Sequence, residues 1–175
     1  YYRWGLSEWH DIDAAMTYAG NQQASDFFLY GFGMGANIAA MHLHESERAG
    51  EVRGAILDSA VVDLGAVVDR IAEDRGIPGV VSAAAKAVAR IRFGLEWSEL
   101  NQLIRADQFD TPILLLHGTE DDVAPIAETD AFVASVTGPI TYERFEGAGR
   151  TELWNSDPER YNTAVLNFLI DVVSG

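Results

Sequence analysis

The sequence predicts an α/β fold, a mostly parallel sheet with helices on both faces, in a single domain over residues 1–175. Three observations predict it. Phe27 to Ala40, FFLYGFGMGANIAA, passes from an apolar run through a turn with glycine at every second position into a helical pattern. Further short apolar runs follow at Val52 to Leu57 and within Thr111 to Pro125, and runs apolar at every position suit strands covered on both faces of a parallel sheet. The chain closes on an amphipathic helix that starts at Asp157 and Pro158, a capping residue followed by the residue best suited to a first helical position.

Composition bounds the function. At 175 residues, with 48% apolar and 22% charged residues, the chain can bury one sizeable core. A net charge of −15 repels phosphate backbones and anionic lipid surfaces, so no nucleic-acid or membrane partner is expected. The absence of cysteine removes disulfides, thiolate nucleophiles and cysteine-based metal sites. His42 and His44 stand two apart on one helix and diverge, which reads as a solvated helix end; neither a metal nor a cofactor is expected. No apolar run reaches the ~20 residues that span a bilayer, and no signal pattern opens the chain, so a cytoplasmic location is expected. The chain begins at Tyr1, not at methionine, and the true start is expected upstream.

Taken in order, Trp9, Ile12, Met16 and Ala19 recur at helical spacing, with Ser7 as the cap and Gly20 as the stop. Phe27 to Tyr30 is the first strand, and Met34 to Arg48 a helix with Met34, Ile38 and Met41 on one face. Val52 to Leu57 is the next strand and leads into Asp58, which reads chiefly as a cap or turn residue and secondarily as a site residue. Residues 61–110 are far longer than an ordinary connection and predict helices at Leu64 to Arg75, Val80 to Ile91 and Leu95 to Arg105. A strand around Ile113 to His117, a helix from Ile126 to Val136 and an alternating strand from Thr141 to Phe145 precede the final helix, which turns Tyr161, Val165, Phe168 and Val172 inward.

The glycine turn admits two readings. Gly31, Gly33 and Ala36 satisfy G-x-G-x-x-A, the dinucleotide-binding turn, and Asp58 lies near the ribose-binding spacing. The same stretch resembles the nucleophile elbow of the α/β-hydrolase superfamily, G-x-S-x-G, with Gly33 in the serine slot. In that motif Gly31 and Gly35 are expected to leave no room for a Cβ. TPILLLHGTEDDVAP resembles the superfamily's strand followed by H-G-x-x-D-x-x-V-P. The loop EGAGRTELWNSDP resembles its last-strand loop G-A-G-H, with Arg150 in the histidine slot. YYRWGLSE is a loose match to D-x-R-G-x-G-x-S at the end of an earlier strand.

The resemblance covers nearly the whole chain from the turn onward, in the order nucleophile, acid, base. It implies a serine hydrolase of the esterase, lipase and peptidase branch acting on small-molecule esters or amides. Asp121 is then the acid that orients the base, the Met34 N–H is half of an oxyanion hole, His117 is a buried structural histidine, and residues 61–110 are a helical lid. It also implies missing N-terminal strands, so that an upstream segment or a second chain is expected to cover the strand edge at residues 27–30. Both proton-handling positions depart from the pattern. Glycine has no hydroxyl, and arginine stays protonated at any accessible pH, so this copy is expected to be catalytically impaired. A pseudoenzyme that keeps its pocket for binding is the alternative.

Overall fold

The computed structural model describes residues 3–175, so the first two positions of the loose N-terminal match, Tyr1 and Tyr2, lie outside the described residues. Among the described residues four strands, β1 (Phe27–Phe32), β2 (Val52–Asp58), β3 (Ile113–Gly118) and β4 (Ile140–Phe145), form one sheet in the order β1-β2-β3-β4. Every pairing is parallel. Among the described residues seven α-helices accompany them: α1 (Trp9–Gly20), α2 (Met34–Glu45), α3 (Leu64–Asp74), α4 (Gly79–Phe93), α5 (Ile126–Ser135), α6 (Leu153–Ser156) and α7 (Pro158–Ser174).

Strand parity divides the core. Ala55, Leu57, Ile113 and Leu115 point to one face, where they meet Met16 of α1, Ala36 and Ala39 of α2 and Phe132 of α5. Ile56, Leu114 and Leu116 point to the other, against Leu153 of α6 and Tyr161 and Phe168 of α7. Since β3 is buried at every position, both layers are needed to cover it. A third cluster, Val61, Leu64, Val67, Leu95, Leu100 and Ala124, is built by the long connection between β2 and β3.

The structure corrects three local expectations. Ser7 does not cap α1: Glu8 occupies that position, and its carboxylate accepts the backbone N–H groups of Arg3, Gly5 and Ser7. Leu95 to Arg105 is not a helix. There the backbone of residues 100–102 pairs with residues 62–64, through Leu64 N–H to the Leu100 carbonyl and Gln102 N–H to the Val62 carbonyl. The Asn101 side chain meanwhile accepts the Leu103 and Ile104 N–H groups and donates to Asp63 at 2.6 Å, which leaves only a 3-10 turn at Leu103–Gln108. Nor do His42 and His44 form a solvated end. His42 is fully buried with its Nε2 3.0 Å from Asp13, and His44 bonds Gln102 at 3.0 Å and packs on Phe109.

Candidate active site

The carboxyl ends of the strands hold the candidate site. β1 ends one residue before Gly33, and α2 starts one residue after it. Turning that tightly forces strand and helix together: a Cβ on Gly31 would stand 2.4 Å from the carbonyl of Gly35. Gly33 itself adopts φ 52° and ψ −111°, a region L side chains rarely enter. Its N–H donates to the Asp58 carbonyl at 2.8 Å, tying the turn to the end of β2. Gly35 departs from expectation, because a Cβ there would meet nothing within 4 Å. Met34 is the first residue of α2, so its N–H belongs to the first-turn amides that have no carbonyl partner within the helix.

Asp121 follows β3 and is fully buried on its side chain. Oδ1 accepts the N–H groups of Val123 and Ala124, each at 2.8 Å, so the loop wraps around the carboxylate. The guanidinium of Arg70, on α3, donates to the carbonyls of Asp122 and Val123 and pins that loop from outside. His117 lies beneath, fully buried, its Nε2 bonded to the Ala124 carbonyl at 2.8 Å and 3.6 Å from Asp121 Oδ2.

Arg150 arrives on the loop after β4. Nη1 donates to Asp121 Oδ2 at 3.3 Å. Nη2 lies 3.2 Å from the point where a Cβ on Gly33 would stand. Gly33, Asp121 and Arg150, distant along the chain, therefore share one point at the tips of β1, β3 and β4. Asp122, the neighbour most easily confused with Asp121, contributes only its carbonyl, to Arg70.

A buried hydrogen-bonded chain that the sequence does not reveal supports this point. Asp58 is 1% exposed and is not a cap; Asp63 caps α3 by accepting Ala66 N–H. Instead Asp58 Oδ1 accepts from Ser59 Oγ at 2.7 Å, and Oδ2 accepts from the Tyr161 hydroxyl at 2.7 Å. The Tyr161 hydroxyl lies 2.5 Å from that of Tyr30, while Ser59 Oγ accepts the N–H of Thr151, the residue after Arg150. Ser59 and Thr151 both hold positive φ, 54° and 55°, so this bond joins two strained turns. Burial pushes the Asp58 carboxyl above the usual carboxylate range, against the pull of its two hydroxyl donors and of His117 and Arg150 nearby. With both oxygens taken, Asp58 presents no free carboxylate to a ribose. Strand parity was the available signal: Asp58 shares a face with Ile56, the face that α7 covers.

Chemically, the cluster offers a buried carboxylate, a guanidinium already paired with it and the start of a helix. Gly33 supplies no hydroxyl there and Arg150 no imidazole; Thr151 comes within 3.7 Å of the missing Cβ through its methyl group, and the His117 imidazole is held by the Ala124 carbonyl. Among the described residues no group of three His, Cys, Asp or Glu side chains is arranged to hold a metal, and no helix is long and apolar enough to cross a membrane.

No family model and no curated protein matches the chain. Solved structures do. An esterase from Pyrococcus furiosus superposes with a TM-score of 0.70 at 20% identity, covering 97% of this chain and 63% of its own. Puromycin hydrolase gives 0.76 at 25% identity over 98% of this chain, and a thermophilic esterase from Thermogutta terrifontis gives 0.60 at 17% over 91%. The chain spans 26% of the length of puromycin hydrolase and 70% of that of the Thermogutta esterase. The likeness runs over nearly the whole of this chain, which has the α/β-hydrolase fold.

Proposed function

We propose that the chain carries the acyl-transfer half of an ester or amide hydrolase scaffold in which turnover has been lost and small-molecule binding retained. One observation carries this reading: the Arg150 guanidinium stands at Asp121 and at the missing Cβ of Gly33, where a working site holds imidazole between carboxylate and alcohol. In a working site the alcohol attacks the carbonyl, the imidazole takes its proton and the carboxylate fixes the imidazole tautomer. Here Gly33 supplies no nucleophile, and Arg150 cannot accept a proton. Asp121 keeps its place with an arginine as its partner. Removing the nucleophile alone from a comparable triad lowers turnover by about 10⁶.

The start of α2 supports the binding half of this reading. The first-turn amides of α2, Met34 N–H among them, would favour the partial negative charge of an ester or amide carbonyl oxygen brought to the helix start. No cofactor enters this chemistry. The free edge of β1 belongs to the same reading: a strand from elsewhere in a longer chain, or from a second chain, lies along residues 27–30. An exposed apolar edge is otherwise a site of aggregation.

The test is hydrolysis of short-chain aryl esters by the native chain and by the Gly33→Ser, Arg150→His pair of substitutions, each also melted with and without a short-chain ester and NAD. Silent native protein, turnover in the double variant and a melting shift with the ester alone support the proposal. Native turnover sensitive to Asp121→Asn, or a shift with NAD alone, overturns it.

A further inference from the structure

Helix α4 faces the wrong way for a helix lying on a core. Of its residues only Ser82 is buried. Polar contacts hold it: Ser82 Oγ donates to Asp69 Oδ1 at 2.6 Å, the Lys86 ammonium pairs with the same carboxylate, and the Trp97 indole N–H donates to the Lys86 carbonyl at 3.0 Å. The larger apolar side chains point elsewhere. Val80, Ala84, Val88 and Ile91 recur at helical spacing with Val81 beside them, so at about 100° per residue they form one stripe opposite Ser82, Lys86 and Ala89. Val80 is 75% exposed, Val88 58% and Ile91 86%. A contiguous apolar stripe in water marks a surface that something covers.

We propose that a second copy of the chain covers it, the two α4 helices packing antiparallel about a two-fold axis near Ala84 and Val88. The charges select this occupant and this direction. α4 contains no acid; of the two arginines in its last turn, Arg90 pairs with Glu96 at 3.0 Å, and Arg92 lies over the Phe93 ring with no carboxylate partner of its own among the described ion pairs. Glu73 and Asp74 end α3 at the tip where α4 begins, and that tip stays net negative with Arg75 included. Antiparallel pairing sets Arg92 of each copy opposite the acids of the other and opposes the two helix dipoles. Parallel pairing would stack arginine on arginine. Ala83, Ala84 and Ala87 allow the backbones to approach closely. An anionic lipid surface would meet the same stripe, but the net charge of −15 opposes it. A helix face about 22 Å long is smaller than the ~800 Å² per partner of a standard interface, so the dimer is weak, in the micromolar range.

Sedimentation velocity from low micromolar to near-millimolar concentration reads this directly. The chain passes from monomer to dimer as concentration rises. Val88→Glu and Ile91→Glu, exposed in the monomer, leave the melting temperature unchanged and raise the dimer dissociation constant about tenfold or more. Arg92→Glu weakens the dimer, and adding Asp74→Arg to it restores association. A chain that stays monomeric throughout overturns the proposal. So does a dimer indifferent to Val88→Glu, whose interface lies elsewhere, such as the β1 edge, and so does a monomer that sediments with phosphatidylglycerol vesicles. None of these outcomes depends on hydrolytic activity.

Discussion

Arg150 reaches across the tips of the sheet to Gly33: its Nη2 stands 3.2 Å from the point a Cβ on that glycine would occupy. An added side chain at the turn would therefore meet both an unfavourable backbone, at φ 52°, and the guanidinium. Gly33→Ser is expected to lower stability by about 1–3 kcal/mol from backbone strain. Arg150→His removes the contact, so the double variant should be less destabilised than the sum of the two single changes. Urea midpoints of the four proteins check this; strict additivity would place the two residues out of contact.

Asp121 organises its loop through more than one bond. Oδ1 serves two backbone N–H groups, and Oδ2 faces Arg150. Asp121→Ala leaves Val123 and Ala124 N–H without that acceptor and should cost about 1–3 kcal/mol or more. Asp121→Asn keeps one oxygen for those donors and should cost less. Arg150→Ala should cost least, since the guanidinium is partly in solvent. Thermal melts of the three variants give the order, and Arg150→Ala as the worst would contradict it.

The hydroxyl of Tyr161 carries the link from Asp58 to Tyr30. Tyr161→Phe deprives the buried carboxylate of a donor and should destabilise by about 1–3 kcal/mol. Tyr30→Phe should cost clearly less, because Tyr30 lies at the free edge of β1, where water replaces the lost partner. Equal losses would mean that the hydroxyl chain contributes nothing beyond packing.

His44 sets a pH window. Burial, with Arg105 nearby, lowers its imidazole from 6.5 to about 4 in the folded chain. The unfolded chain therefore binds the proton first. Stability is retained above pH 6.5 and lost as pH falls from there toward about 4. His42 shifts in the same direction, lowered by burial against the attraction of Asp13. Denaturant midpoints at pH 7 and pH 5 should fall less for His44→Gln than for the parent; an equal fall would remove His44 from the account.

Much of the architecture is visible in the sequence because the signals are local. β1, Gly33 and α2 announce themselves within fourteen residues, and Asp157 with Pro158 fixes the start of α7, where the Asp157 carboxylate accepts Arg160 N–H at 3.0 Å. The 95–105 stretch misled because its helical propensity loses to pairing with residues 62–64, some forty positions away. The Asp58, Tyr161 and Tyr30 chain was hidden for a similar reason, since its partners stand 103 and 131 positions apart. Gly35 shows the limit of a motif. The pattern keeps the glycine, while the space its Cβ would fill is open here and lies beside the free edge of β1.

Release of p-nitrophenol from p-nitrophenyl acetate tests the central claim most directly. The native chain is predicted to give no burst, and the Gly33→Ser, Arg150→His double variant a burst approaching one equivalent per chain that Asp121→Asn suppresses. A native burst that Asp121→Asn abolishes, or a folded double variant with none, would contradict the assignment of these three residues as the remains of an acyl-transfer site.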